Sequence, residues 1–588
     1  MGSGIYSLGT SAMLAAQAML DTTSHNISNA NTPGYSRQQV ELATEGGLYT
    51  GSGFFGRGVR VATITRATNQ FLVREANINT ASSAADQTRL NKLTQLEEVL
   101  PTGENGLGYA ASQMLNAFVD VSNQPQDVSA RQVVLSRAKE WVSRVNTAAQ
   151  QIEELQSGVL SDMGSSVDQI NAYTKQIASL NQDIAKYTGI GHSANDLLDQ
   201  RDLLVNKLNK LVQVNTVEAD DGSLSVFMSS GQLLVLSNQS ETLALVRDPT
   251  DSSKGRVALL TNGTSRILDS DQITGGALEG LLTFQDTDLT QTRANLNAFV
   301  SQFADAVNKQ QSLGIDQDGV PGTPMFNNTT SAIDITLGLS APKGIAAASP
   351  YVAALGARDP FTSVVQNKNK GTADISSMTM LHASLPSGVT PPVTVQFYED
   401  SSYASGLRYE IYSDGASTPY WTAGWTPGQP ITDGDPDPAV DTASFKMLLT
   451  GVPKGEELAT DGVYSGDSIT ISSTTFPANN NGNAQAMLAL RDNTNMITLD
   501  GGSTYASVTD TYSQMIGDLG VLVQSGKTEA SISSTLETSA NQTLASTSGV
   551  NLDEEASRLI QFQQAYQAAA KVLQVAQKVF ETLLNTTA

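Results

Sequence analysis

The chain has 588 residues, no cysteine, and 34 Lys+Arg against 58 Asp+Glu, a net charge of −24. Without cysteine there is no disulfide, thiolate nucleophile or zinc–thiolate site, and the carboxylate excess opposes nucleic acid and anionic membrane surfaces. Length implies three or four domains at roughly 150 residues each, and the low aromatic (6%) and charged (16%) fractions suit a secreted or assembling structural protein better than a cytoplasmic enzyme.

At the N-terminus, Ile5, Leu8, Ala12, Ala15 and Met19 form one heptad stripe, and Tyr6, Met13, Leu20 and Ile27 form a second beside it. Such a helix is marginal alone in water and needs partners on more than one side. Its end is marked by Asn29, Asn31, Pro33 and Gly34, which stop helices and favour turns. Val59–Ile64 reads as a strand. Residues 69–122 and 127–187 read as mainly helical, the second with a seam of Ile170, Tyr173, Ile177, Leu180, Ile184 and Tyr187 ending at Gly189-Ile-Gly191. A helix follows from Asn195 to Val212. The period then changes to two, with Val212, Val214 and Thr216 leading into an Asp220-Asp221-Gly222 hairpin turn and Leu224, Val226 and Met228 returning. Ala277–Gln311 is helical, with Leu289, Leu296, Phe299, Phe303 and Val307 on one side.

Residues 330–480 differ in composition. They hold thirteen of the nineteen prolines and an acidic excess, and runs such as Val393–Phe397 and Ser468–Ser472 alternate as strands do. By contrast, residues 1–80 carry five Arg against four carboxylates. Helix resumes at Val508–Ser546. The last segment opens with Asn551 before Asp553, Glu554 and Glu555, an N-cap followed by first-turn carboxylates. Leu552, Leu559, Phe562, Tyr566, Ala569, Leu573, Ala576, Phe580 and Leu583 then recur at spacings of three and four, and Glu555 is the single non-apolar place in the series. The pattern predicts a coiled-coil seam that must bury against another helix; an ordinary long core helix is the alternative.

The expected fold is α+β, mainly α. Residues 1–65 and 545–588 form a terminal coiled-coil assembly domain. Residues 66–329 and 481–544 form a helical body with a β-hairpin, and 330–480 an inserted β-rich outer domain. The candidate interface comprises Leu552, Leu559, Phe562, Tyr566, Leu573, Phe580 and Leu583. The candidate N-terminal motif comprises Ile5, Leu8, Met13, Leu20, Asn26, Ile27, Asn31, Pro33, Gly34, Tyr35 and Arg37.

No catalytic, cofactor or metal residues are assigned. Gly51-Ser-Gly-Phe-Phe-Gly56 matches a dinucleotide fingerprint by letter but precedes a strand, whereas pyrophosphate needs a helix N-terminus. His25, His192 and His382 are far apart in sequence and read as unrelated. Asp316-Gln-Asp318-Gly319 starts like a calcium loop and lacks the closing Glu. Asp433, Asp435, Asp437 and Asp441 read as a solvated acidic loop, with weak divalent-cation binding as the alternative. Neighbouring carboxylates such as Glu97-Glu98 and Glu456-Glu457 point about 100° apart on a helix and make no dyad. No run of about 18 apolar residues is present, so no helical membrane insertion is expected. No basic residue precedes Arg37, so export would not use a cleaved signal.

The stretch HNISNANTPGYSRQQ, residues 25–39, resembles the N-terminal signature of bacterial flagellar rod, hook and hook-associated proteins. NLDEEASRLIQFQQAYQAAAKVLQVAQKVFETLLN at the C-terminus resembles the closing helix of the same axial family. NDLLDQRDLLVNKLNKLVQV, SGQLLV, GALEGLLTFQDTDL and FADAVNKQQSLGIDQDGVPG are similar to the hook-associated members at the junction of hook and filament. The resemblance spans residues 1–325 and 485–588. It implies a non-enzymatic, self-assembling motility protein, a ring of copies between hook protein and the second junction protein, hook-associated protein 3. It also implies type III export to the extracellular flagellum and a cytoplasmic chaperone on the C-terminal helix. Two other readings stay open: another axial protein of the hook type, and an enzyme carried by residues 330–480.

Overall fold

The computed structural model describes residues 2–49, 54–189, 194–261, 264–356, 369–435, 442–456, 466–499 and 504–587. Its helices are α1 (Gly2–Asn29), α2 (Gln70–Val99), α3 (Leu107–Asn116), α4 (Phe118–Asn123), α5 (Val128–Gly189), α6 (Asn195–Asn209), α7 (Gly276–Thr283), α8 (Thr290–Ser312), α9 (Gly482–Ala489), α10 (Val508–Ser548) and α11 (Leu552–Thr587). Several of the long helices start at side-chain caps. Asn69 Oδ1 accepts the N–H of Phe71 (3.0 Å) ahead of α2, and Asp127 Oδ1 that of Ser129 (2.7 Å) ahead of α5. Asn551 Oδ1 takes the N–H groups of Asp553 and Glu554 at 3.0 and 3.3 Å, satisfying orphan donors of α11.

By contact the chain divides into two compact units. The first comprises residues 1–96, 154–290 and 520–588. It holds a four-stranded antiparallel sheet (Val214–Glu218, Leu224–Met228, Leu233–Leu236, Gln239–Ser240) and a three-stranded one (Thr242–Arg247, Gly255–Thr261, Thr264–Ile267). The turn at Asp220-Asp221-Gly222 forms with Gly222 at φ 79°, and Asp221 Oδ1 accepts the N–H of Ser223 at 2.9 Å. The three-stranded sheet is absent from the sequence reading.

The expected seam of α5 is realised at Ile170, Ile177 and Ile184, all buried, whereas Tyr187 is exposed. Polar side chains share the buried line. Asn171 exchanges two hydrogen bonds with the backbone of Leu243, both 2.8 Å, and Asn181 does so with Leu224 at 2.8 and 3.0 Å. Each asparagine completes strand hydrogen bonding that would otherwise be lost inside the fold.

The expected helix 277–311 is interrupted by a π-helical turn at Phe284–Leu289. The wider turn brings Gln285 and Asp288 inward beside Phe284 and Leu289. Gln285 Oε1 accepts the N–H of Gly255 at 2.8 Å, and Asp288 receives the Arg89 guanidinium in a two-bond fork at 2.8 and 3.0 Å. These bonds compensate for burying polar groups.

The second unit comprises residues 97–153 and 291–519. Trp141 packs against Phe303 and Phe326 with ring centroids 4.7 and 5.0 Å apart. A five-stranded sheet runs in the order Tyr351–Leu355, Ser468–Ser473, Val393–Glu399, Leu407–Tyr412, Trp421–Gly424. A three-stranded sheet runs Asp374–Met380, Phe445–Thr450, Ile431–Thr432. Alternate residues of both sheets, including Val393, Val395, Phe397, Ile411, Phe445, Met447, Ile469 and Ile471, share one core. The β-rich expectation for 330–480 thus takes the form of two antiparallel sheets. Inside this segment the chain closes on itself: the N–H of Thr474 donates to the carbonyl of Pro350 at 2.9 Å, so the two sheets lie between residues 350 and 474.

Candidate assembly site at the paired terminal helices

α1 and α11 lie against each other and run antiparallel. A Cβ placed on Gly9 would sit 3.0 Å from Leu573, and Asn26 bonds Glu555, so 17 residues forward along α1 match 18 backward along α11. Small residues permit the approach: Ala15, Ala16, Ala569 and Ala576 are all buried. Leu559, Phe562, Tyr566 and Leu573 are half-buried, while Leu552 and Phe580 are exposed. On α1, Met13, Leu20 and Ile27 are half-buried, and Tyr6 and Leu8 exposed. α1 includes Ile5 and α11 includes Leu583, but the side chains of both lie outside the described set. So do Gly51-Ser-Gly53, Ile190-Gly191, His192, Asp437, Asp441 and Glu457.

Asn26 is 1% exposed and uses its whole amide. Its Nδ2 donates to the carbonyl of Gln38 (2.8 Å) and to Glu555 Oε2 (2.9 Å). Its Oδ1 accepts the Gln38 N–H (2.9 Å) and the Tyr35 hydroxyl (2.7 Å). Glu555, the polar place in the apolar series, is also 1% exposed, with Arg558 Nη1 3.8 Å from Oε1. Burial pushes the Tyr35 phenol well above its ordinary value, helped by the carboxylates of Asp196, Asp199 and Glu555, so it stays a donor. The Tyr35 hydroxyl also meets His25 Nδ1 at 3.0 Å. Asn31 and Pro33 are exposed. Gly34 has φ 81°, and a Cβ there would come within 3.1 Å of Leu203 Cβ; the turn needs glycine for both reasons.

The segment after the turn is held by α6. Asp199 Oδ2 accepts the Ser36 N–H at 3.0 Å, and its Oδ1 pairs with Arg66 Nη1 at 2.7 Å. Arg66 Nη1 also reaches Asp202 at 2.8 Å. Gln38 Nε2 donates to Asp196 Oδ1 (3.0 Å), and Asn195 Nδ2 to the Ile64 carbonyl (2.9 Å). Burial raises the Asp199 carboxyl above its ordinary range, against the lowering effect of Arg66 and Ser36. Arg37 ties the turn to the C-terminal side through its N–H to the Ser548 carbonyl (2.8 Å) and its guanidinium to Glu554 (3.1 Å). Sequence reasoning placed Asn26, Tyr35, Gly34 and Arg37 in the motif. It missed Glu555, Asp199 and Arg66 as their partners, although the one polar residue in the heptad series was a signal for Glu555.

The other candidate chemistry resolves into local structure. Asp316 Oδ1 accepts the N–H groups of Asp318 and Val320, both at 2.9 Å, as a turn, and Lys343 pairs with Asp318 at 2.7 Å. Asp433 is buried and accepts the N–H groups of Ser444 (2.6 Å) and Phe445 (3.1 Å), so this member of the acidic loop is not solvated. His382 Nδ1 lies 2.9 Å from the Ala443 carbonyl. Among the described residues no group of three or more metal-ligating side chains occurs, and no helix is long and apolar enough to cross a membrane.

Comparison with known proteins agrees with this architecture. The profile described as "Flagellar hook-associated protein FlgK helical domain" matches residues 93–326. That of "Flagella basal body rod protein" matches 8–35, and that of "Flagellar basal body rod FlgEFG protein C-terminal" matches 541–586. Flagellar hook-associated protein 1 of Escherichia coli (strain K12) is 30% identical over 586 residues, covering 98% of each chain. The chain belongs to the flagellar hook-associated protein 1 family. The family's member in Salmonella typhimurium is 29% identical over 585 residues, and that in Bacillus subtilis 25% over 585 residues. The fold also matches the structure of the flagellar hook junction protein FlgK from Burkholderia pseudomallei. That match has a TM-score of 0.65 at 24% identity and covers 81% of this chain and 100% of that one. The chain is therefore a flagellar structural component of the hook-associated type.

Proposed function

We propose that the chain joins the flagellar hook to the filament mechanically, through assembly of its paired terminal helices, and catalyses nothing. Copies form a ring, with hook protein on one side and hook-associated protein 3 on the other. The chain leaves the cell through the type III export apparatus and works outside it. Residues 1–65 and 545–588 act as the assembly domain, 66–329 and 481–544 as the body, and 330–480 as the outward domain. The observation that carries this reading is the far face of α11. Ile560, Val572, Val575 and Val579 are 56%, 42%, 62% and 44% exposed. At 3.6 residues per turn they point away from the side that rests on α1. Apolar side chains exposed on both flanks and the back of one helix favour being covered, and copies of the same helix pair are the natural cover.

Before assembly the seam of Leu559, Phe562, Tyr566 and Leu573 serves a cytoplasmic chaperone. Two variants separate the faces. Ile560→Ser with Val575→Ser removes the outer face and should abolish filament growth while leaving the monomer's thermal unfolding unchanged. Leu559→Ser with Leu573→Ser should weaken chaperone binding by roughly 10²–10⁴, the loss of two buried side chains at about 1.5–3 kcal/mol each. Gln564→Ala with Gln567→Ala, off the seam, should do neither. Normal filaments from the outer-face variant would sink the reading.

A further inference from the structure

The apolar contact between α1 and α11 defines its own register only in part. Tyr566, Leu573 and Phe580 are spaced by seven, and the buried Ala569 and Ala576 are seven apart as well. Along that first line a slip of one heptad exchanges large residue for large, whereas along the second it exchanges Phe562 with Ala569. Gly9, which lies against Leu573, would meet Tyr566 or Phe580 instead.

One buried polar contact in the seam opposes a slip in either direction. We propose that Asn26 and Glu555 are the residues that specify the register of the terminal helix pair. The proposal deepens the assembly reading, because a slipped pair would present its outer face to neighbours one heptad out of step. Every hydrogen-bonding position of the Asn26 amide is used, on Gln38, Tyr35 and Glu555. Sliding α11 by seven residues toward its N-terminus places Phe562 opposite that amide, and sliding it the other way carries the Glu555 carboxylate to the place of Phe562, among apolar neighbours. A single buried polar position in an apolar heptad fixes register in just this way, since wrong pairings leave buried groups unbonded. The pair also carries the register outward. Gln38, held by Asn26 through its backbone, is held by Asp196 (3.0 Å) and Asn195 (3.2 Å) of α6 through its side chain. The signature turn thus fixes both which residues of α1 and α11 meet and where the pair sits on α6.

The absence of cysteine from the chain makes the test clean. Gly9→Cys is combined in the full-length protein with Leu573→Cys, the native register, or with Tyr566→Cys or Phe580→Cys, one heptad away on either side. Disulfide formation under mild oxidation is then quantified. With Asn26 and Glu555 intact, the 573 partner should exceed each slipped partner by at least about tenfold. With Asn26→Leu and Glu555→Leu together, helicity should persist and the preference should fall to roughly threefold or less. Undiminished selectivity in that variant would overturn the proposal. Should it fail to fold, Asn26→Asp decides: it should lose selectivity, and adding Glu555→Gln, which reverses donor and acceptor, should restore it. No loss, or no rescue, overturns the proposal. Filament growth is scored separately. A chain that keeps its register and builds no filament counts against the assembly reading and leaves the register pair standing.

Discussion

Arg66 is the point at which removing one side chain should do most harm to the platform under the terminal helices. Its Nη1 bonds Asp199 at 2.7 Å and Asp202 at 2.8 Å, with side chains 12%, 8% and 35% exposed respectively. Arg66→Met keeps the stem and deletes the charge. The Asp202 arm, partly in solvent, contributes at most about 1 kcal/mol. The Asp199 arm is different, because that carboxylate keeps only the Ser36 N–H at 3.0 Å and stays buried. Breaking a buried pair from one side costs roughly 3–5 kcal/mol, and the slight exposure of both groups argues for about 3. Thermal unfolding of the variant should fall by roughly 6 °C at neutral pH.

The pH dependence supplies the sign. Asp199 already has a raised folded-state pKa from burial, and Arg66 works to lower it. Without Arg66 it rises further, so protonation favours the folded state. The deficit is full above the folded pKa and shrinks as pH falls toward the ordinary value of 3.8. Unfolding should be measured at about pH 7 and about pH 4.5, and in Arg66→Met/Asp199→Asn, which should recover most of the loss. A deficit below about 1 kcal/mol that is equal at both pH values would refute the buried-pair account.

Two further outcomes are expected. Replacing residues 351–473 with a short Gly/Ser linker should leave filament growth intact, because Pro350 and Thr474 already touch. A cut at 330 should instead unfold the second unit, since it removes the buried Ile335 and Ala346–Ala348; the soluble yield of the two deletions checks this. Asp248 is held well below the carboxylate range by the Thr250 hydroxyl and N–H and by Arg256. Its contribution is therefore present above the ordinary value of 3.8 and lost as pH falls below it. Asp248→Asn should flatten the acid limb of the stability curve, and an unchanged limb would count against it.

Long helices were legible because apolar spacing and capping residues are local. Asn551 with its acidic first turn and the Gly34 turn were visible in the same way, and both form. What was hidden depends on partners distant in sequence. Asn171 and Asn181 sit in a helix without disturbing its period, and nothing nearby says that they bond to Leu243 and Leu224. The π-helical turn at Phe284–Leu289 buries Asp288, whose partner Arg89 lies 199 residues away. In the candidate site, the heptad reading included Ala15, Ala569 and Ala576 in its seams but left all three out of the candidate interface, and it did not name Gly9 or Ala16, which share the close contact. Close approach of two backbones favours small side chains, which carry little weight in a hydrophobic pattern.

The bond between Asn26 and Glu555 joins residues 529 positions apart. Whichever end of the chain appears first, the first helix waits for nearly all the rest before its buried amide is satisfied. A chain cut short just before residue 555 leaves the Nδ2 of that amide without its carboxylate acceptor. The terminal pair is thus a check on completeness: only a molecule that has reached the first turn of its last helix can close its ends and offer them to a neighbour.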